Sequence, residues 1–146
     1  MSLIDLGSKY FTWAEVLASQ TAARRGLDNT PEDETQATIV QTAKHMDAVR
    51  ALLGTPVLVS SWFRALKVNT AVGSRPTSQH VKGEALDFTS PKFGSVEAVF
   101  AFLKARMVDF GIDQLILEYG AWVHISFTAT PRHMALTIDN KGTRAA

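Results

Sequence analysis

Patterns typical of helices dominate the first part of this chain, and patterns typical of strands dominate the rest. Apolar residues recur at helical spacing between Ile39 and Leu53, just before Gly54. One further helical segment starts at Ser95, among short apolar runs that resemble strands at 56–60, 84–89, 114–118, 122–127 and 134–138. This order predicts an α+β fold, in which helices pack on a small antiparallel β-sheet. The length of 146 residues fits a single domain over residues 1–146.

Local signals predict where the helices begin and end. Thr12 and Glu15 have the spacing of a capping box and predict a first helix that runs to about Gly26. Thr30 is expected to cap the second helix, with Pro31 at its first position. Phe11 and Val16 are placed to form a hydrophobic staple around the capping box. The third helix is expected to end at Gly111, and the polar tail at Gly142–Ala146 is expected to fray.

Composition excludes several classes of site and partner. The chain has no cysteine, so it can form neither disulfides nor thiolate metal sites, and any metal must be held by His, Asp or Glu. The net charge of +1 argues against a broad basic face for nucleic acid. No apolar run approaches the roughly 18–20 residues that span a bilayer, so membrane insertion is not expected. The N-terminus does not resemble a signal peptide, which predicts synthesis in the cytoplasm.

Asp87 lies in the middle of the predicted strand at 84–89, between two apolar residues. Alternation places Asp87 on the face opposite Leu86 and Phe88, so Asp87 points away from the core if that apolar pair enters it. His80 lies on the loop that leads into this strand, and Gly83 permits a close or unusual backbone turn there. The two polar residues are therefore candidates for one site, although their spacing alone is more typical of surface polar residues.

A second strand presents a histidine in the same way. His124 lies between Val123 and Ile125, which predicts that its side chain points away from the core. If this strand and the one that carries Asp87 are neighbours, opposed Cβ atoms lie about 4.5–5.5 Å apart, close enough to bind one ion together. Two imidazoles and one carboxylate with an open position are typical of catalytic zinc. Taken alone, His124 is also compatible with an exposed or capped residue.

The combined motif resembles a known enzyme family. Ser78-x-His80-x-x-Gly83-x-Ala85-x-Asp87, followed by Trp122-x-His124, is similar to the double signature of the zinc D-alanyl-D-alanine peptidase family. That family includes cell-wall carboxypeptidases, vancomycin-resistance dipeptidases and several phage endolysins. The resemblance covers roughly residues 56–127, including Ser60 to Arg64, Asn69 and Asp113 to Glu118. It implies a hedgehog/DD-peptidase-like fold in a compact phage-type branch.

The resemblance implies a role for several side chains. His80, Asp87 and His124 match the zinc ligands, with one Zn²⁺ per chain. Arg64 matches the arginine that contacts substrate near the scissile carbonyl, where a guanidinium can stabilise an oxyanion or hold a carboxylate; a surface ion pair is the alternative. Ser78 is expected to bind substrate or to orient its loop. Trp122 is expected to form a wall of the pocket, a role compatible with simple sheet packing.

The general base departs from the family pattern. Many relatives carry an acidic residue three positions before the last histidine ligand, and here that position is Ala121. The nearest upstream carboxylate is Glu118, at the end of the preceding strand. If the Tyr119-Gly120 link folds back tightly, Glu118 can take a proton from water and pass it to the leaving amine. A structural role for Glu118 is the alternative.

The function implied by the resemblance is zinc-dependent hydrolysis of a peptide bond in the stem peptide of peptidoglycan. The small size and the absence of wall-binding repeats favour a phage or prophage endolysin-type endopeptidase, a monomer that acts on the cell wall after release. One alternative is a D-Ala-D-Ala carboxypeptidase or dipeptidase that acts on cell-wall precursors. Another is a catalytically silent zinc-binding or virion structural module, which the departure at Ala121 keeps open.

Overall fold

Residues 2–146 are described by a computed structural model and form helices in the first part of the chain and a sheet in the rest. The helices are α1 (Trp13–Leu17), α2 (Gln20–Arg25), α3 (Asp33–Leu53), α4 (Leu66–Ala71) and α5 (Val96–Lys104). The strands are β1 (Leu58–Ser61), β2 (Ala85–Thr89), β3 (Gln114–Glu118), β4 (Trp122–Ser126), β5 (Met134–Asp139) and β6 (Gly142–Ala145). The predicted α+β class is confirmed. No helix in the described part of the chain has both the length and the apolar character needed to cross a membrane.

The six strands form one mixed sheet in the order β1-β2-β4-β3-β5-β6. Neighbouring strands are antiparallel except for β3 and β5, which are parallel, so the prediction of a purely antiparallel sheet was wrong for this pair. The two sides of β4 are occupied by β2 and β3. The chain therefore cannot continue by pairing β5 with β4, and it crosses over to lie beside β3. The first strand is an edge strand with Leu58 exposed, and not the buried strand predicted at 56–60.

The N-terminal helical segment is two helices and not the single one predicted. The capping box of Thr12 and Glu15 is confirmed, since each side chain bonds the backbone of the other residue. The chain leaves the helical conformation at Ala18, where ψ is 126°. Ser19 then caps α2 by accepting a hydrogen bond from the Ala22 amide. A serine inside a predicted helix thus acts as a new start, because its hydroxyl satisfies an amide that lacks a helical partner. The predicted end at Gly26 is confirmed.

Three other predicted boundaries were wrong. The cap of α3 is Glu32, because Thr30 belongs to a turn in which its amide donates to Asp28. The α-helical part of α5 ends at Lys104, and hydrogen-bonded turns continue the chain to residue 111. The polar tail forms β6, which pairs with β5 and carries an ion pair of 2.7 Å between Arg144 and Asp139. The tail was expected to fray because a short exposed strand has no apolar pattern of its own.

One apolar cluster joins the long helix to the sheet. It includes Ile39 and Met46 of α3 together with Leu86 and Phe88 of β2, all fully buried. Burial of a large apolar side chain contributes about 1.5–3 kcal/mol, so this cluster dominates the attachment of α3 to the sheet. The face of β2 that carries Asp87 is left on the other side of the sheet, as the alternation predicted.

Gly83 brings the loop before β2 into close contact with α3. It has a φ of +75°, and a Cβ atom there would lie 2.6 Å from Cγ1 of Ile39, which is fully buried. The Thr42 hydroxyl donates a 2.9 Å hydrogen bond to the Gly83 carbonyl. The predicted close backbone turn at Gly83 is therefore confirmed, and it fixes the loop that carries His80 against the core.

A Gly83→Ala substitution is expected to destabilise the protein by roughly 2–4 kcal/mol, because left-handed strain adds to overpacking against Ile39. The matched control is Gly111→Ala, which has a φ of +63° but no atom within 4 Å of the added Cβ. That control should lose only about 1–2 kcal/mol from strain. Urea unfolding of both variants measures the difference, and equal losses would contradict the proposed contact with Ile39.

Candidate metal centre

Asp87 and His124 occupy directly opposed positions on neighbouring antiparallel strands. The register of β2 and β4 pairs Asp87 with His124, between the pairs Leu86–Ile125 and Phe88–Val123. A distance of 2.9 Å separates His124 Nδ1 from Asp87 Oδ1. The two strands are neighbours, which meets the condition that the sequence left open, and strand alternation and the antiparallel register together place both polar side chains on one face.

His80 approaches the same carboxylate from the loop before β2. Its Nε2 atom lies 3.3 Å from Asp87 Oδ1, and its side chain is buried. On the other side of the ring, Nδ1 lies 2.6 Å from the backbone carbonyl oxygen of Trp62. A carbonyl oxygen can only accept, so Nδ1 carries a proton and donates it, which leaves Nε2 as the ring nitrogen that would bind a metal ion once it has lost its own proton.

The three side chains form a group that could hold a metal ion. One ligand atom from each of His80, Asp87 and His124 lies within 4.8 Å of the other two. Two imidazole nitrogens and one carboxylate oxygen suit zinc, and three protein ligands leave a position for water or substrate. The fixed tautomer of His80 fits this chemistry, since a metal-binding histidine usually donates its second ring N–H to a protein acceptor.

Asp87 is held in its ionised form. Burial alone would raise its pKa, but the hydrogen bonds from His124 and His80 and the charges of the two imidazoles outweigh burial. The pKa of Asp87 consequently lies well below its ordinary value. An ionised carboxylate between two imidazoles is the form that a metal ligand requires.

The three side chains lie in a cleft of about 410 Å³ that also contains every other site residue predicted from the sequence. Arg64, Ser78, Glu118 and Trp122 line it together with the His-Asp-His group. The remaining lining residues were not predicted, and they are Val72, Gly73, Ser74 and Tyr119. The structure therefore brings all the predicted site residues together, while their individual roles remain predictions.

Glu118 reaches the cleft through a tight turn between β3 and β4. The Ala121 amide donates a 3.0 Å hydrogen bond to the Glu118 carbonyl, and the two central residues, Tyr119 and Gly120, have φ values of 55° and 59°. This two-residue hairpin is the tight link that the sequence analysis required. Burial raises the pKa of the Glu118 carboxyl, and the nearby charge of Asp87 raises it further. A carboxylate of raised pKa is a better proton acceptor.

Arg64 and Trp122 both carry buried donors that make no hydrogen bond of ordinary geometry in the described structure, although Trp122 lies close enough to Glu118 to lower the pKa of that carboxyl. These donors are Arg64 Nε and Trp122 Nε1. No carboxylate of residues 2–146 lies within ion-pair distance of the Arg64 guanidinium, so the alternative of a surface ion pair is not observed. Burial lowers the pKa of Arg64 while Asp87 and Glu118 raise it, and a guanidinium stays charged at neutral pH. Unpartnered donors in a cleft are available to a ligand.

Ser78 and Asp113 support the loop that carries His80. The Ser78 hydroxyl accepts a 3.3 Å hydrogen bond from the His80 amide, which fits the predicted orienting role. Asp113 is fully buried and accepts bonds of 3.0 Å from Gln79 Nε2 and of 2.6–2.9 Å from three nitrogens of Arg132. Burial opposes the ionisation of Asp113, but the bonds from Arg132 outweigh it and hold its pKa at about 2. Sequence reasoning gave Asp113 no role.

Comparison with known proteins agrees with this geometry. A family model described as "Peptidase M15" matches residues 9–126. The matched range contains the capped helices, the three candidate metal ligands and all the other residues that line the cleft. A search of curated proteins found no match to the chain.

Proposed function

The chain belongs to the M15 peptidase family, and from this premise we propose that it is a zinc-dependent metallopeptidase that hydrolyses a peptide bond in the stem peptide of peptidoglycan. The observation that carries the proposal is the convergence of His80, Asp87 and His124 on one point of the cleft. The donor set suits zinc, and the tautomer of His80 is already the one that a ligand needs.

Zinc held by these three side chains would supply Lewis acidity to a water molecule and to the scissile carbonyl. The chain's own residues then handle the proton and the charge. We assign Glu118 as the group that takes a proton from the attacking water and delivers it to the leaving amine. Its position in the cleft beside the ligands and its raised pKa support that role.

Arg64 is proposed to bind the oxygen on which negative charge develops, or a terminal carboxylate of the substrate. Its buried Nε has no partner, so the guanidinium has donor capacity to offer a ligand. Donors that are already fixed in a partly buried cleft stabilise such charge without further reorganisation. Ser78 and Trp122 line the same cleft and are proposed to contact substrate.

We further propose that the protein is an endolysin-type endopeptidase of phage or prophage origin, which acts as a monomer on the cell wall after its release from the cytoplasm. Support comes from the motif resemblance and from the family match, which extends beyond the motif to the N-terminal helices. The carboxypeptidase alternative uses the same residues and differs only in the bond that is cut.

Digestion of purified peptidoglycan tests the proposed function. Metal-free protein, the same protein reloaded with zinc, and a chelator-treated sample are incubated with sacculi and with a soluble stem pentapeptide, and products are identified by mass spectrometry. We expect cleavage only with zinc. Internal cleavage of the stem peptide supports an endopeptidase, whereas release of a single terminal D-Ala supports the carboxypeptidase. Zinc-loaded protein that cuts neither substrate would support the silent module.

A further inference from the structure

Two exposed apolar side chains, here called the rim, line a cleft whose other side chains are mostly polar. Val72, at the end of α4, and Tyr119, in the turn between β3 and β4, are 42% and 56% exposed. Eight large apolar side chains of residues 2–146 are exposed, and these two line the same cleft as the candidate metal ligands. The two residues are far apart in the sequence, and the fold brings both of them to one cleft.

Tyr119 occupies a backbone position that disfavours it. Its φ of 55° lies in the left-handed region, and the first central residue of such a hairpin is usually Asn, Asp or Gly. The Tyr119 amide donates a 2.8 Å hydrogen bond to the Ile138 carbonyl, but any residue except proline could make that bond. The backbone therefore does not require a tyrosine here. Strained positions of this kind cluster at functional sites, where the side chain has a role of its own.

The packing of the ring gives no reason either. The Tyr119 ring lies outside the apolar cluster of the core and contacts Trp122, with 5.7 Å between ring centroids and an angle of 43° between the planes. Both rings line the cleft, and Tyr119 is the more exposed of the two. The cleft thus combines charged groups with two exposed apolar side chains.

We propose that Tyr119 and Val72 form a subsite that binds the apolar part of the substrate residue next to the scissile bond. The amide must reach Glu118 and Arg64 in the cleft, and a side chain that projects outward from it would then contact the rim. A methyl group or the aliphatic stem of a longer side chain fits this surface, while a carboxylate directed at the rim would lose solvation without gaining a partner. The inference rests on the proposed peptidase function.

Two substitutions distinguish the effect of the Tyr119 ring from the effect of the turn conformation. Tyr119→Asn removes the ring and places in the turn a residue that tolerates a positive φ, while Tyr119→Phe keeps the ring. For the Asn variant we expect an equal or higher melting temperature, with kcat/KM on the soluble stem peptide lowered about tenfold, mainly through KM, because substrate loses buried apolar contact. The Phe variant should stay within about twofold of wild type, because the ring supplies the contact.

A second variant tests the other side of the rim. Val72→Ser should also raise KM while leaving bound zinc unchanged. If Tyr119→Asn leaves KM unchanged in a protein whose wild type cuts the peptide, the inference is overturned, and a lower melting temperature in that variant would then assign Tyr119 to the fold alone. A wild type that cuts no stem peptide would instead refute the proposed function, and this inference with it.

Discussion

Replacement of Glu118 by glutamine is expected to lower kcat by about two to four powers of ten, the usual contribution of a general base, while zinc stays bound. Glutamine keeps the size and polarity of the side chain at the end of β3 but cannot accept a proton. Glu118 lines the cleft with the three candidate ligands and is not a member of the His-Asp-His group. The loss should therefore fall on turnover and not on metal content.

The measurement combines steady-state kinetics on the stem peptide with zinc analysis by mass spectrometry of the purified protein. Glu34→Gln is the matched control, because Glu34 is an exposed carboxylate in the first turn of α3, outside the cleft. The control should retain full activity. Unchanged turnover in Glu118→Gln would assign the base elsewhere, and loss of zinc from that variant would make Glu118 a ligand.

Replacement of His124 by alanine is expected to weaken zinc binding by more than about a hundredfold, since even partners outside the ligand shell contribute 10–100-fold. Activity at stoichiometric zinc should fall with it. The remaining pair, His80 and Asp87, supplies only two of the three protein ligands that a catalytic zinc site normally has. Asp87 would also lose the 2.9 Å contact with the imidazole that helps to keep it ionised.

Competition with a chelating indicator measures the zinc affinity, and thermal unfolding gives a second readout that needs no substrate. A ligand that binds only the folded state raises the melting temperature, so zinc should stabilise wild type and not His124→Ala. His45→Ala is the control, because His45 is an exposed residue of α3 that stacks on Phe127 at 4.7 Å. If His124→Ala binds zinc as tightly as wild type, His124 is not a ligand and the metal centre lies elsewhere.

The centre of the site was predictable because strand alternation is a local rule. Once Leu86 and Phe88 are assigned to the core, Asp87 must face the other way, and the same argument applies to His124. The capping box at Thr12 was predictable for a similar reason, since its two partners are three residues apart. Local spacing also indicated Gly83, whose contact with Ile39 fixes the His80 loop.

Features that depend on distant partners were not predictable. The parallel pairing of β3 with β5 follows from the occupation of both sides of β4, which no local pattern encodes. The pairing of β6 with β5 was missed for a different reason, because this hairpin is local but β6 is exposed along its whole length and has no apolar pattern. Asp113 binds side chains 34 and 19 positions away, at Gln79 and Arg132, so its sequence context gives no sign of its role. Tyr119 was seen only as part of a link.

The acceptor that holds the His80 ring is a peptide carbonyl and not a side chain. The 2.6 Å contact with the Trp62 oxygen would persist through any replacement of Trp62 that leaves the backbone in place. Substitution at position 62 can therefore change packing, but it cannot delete the hydrogen bond that sets the tautomer. The acceptor is thus supplied by no side chain, so the residue type at position 62 does not by itself show whether the bond is kept.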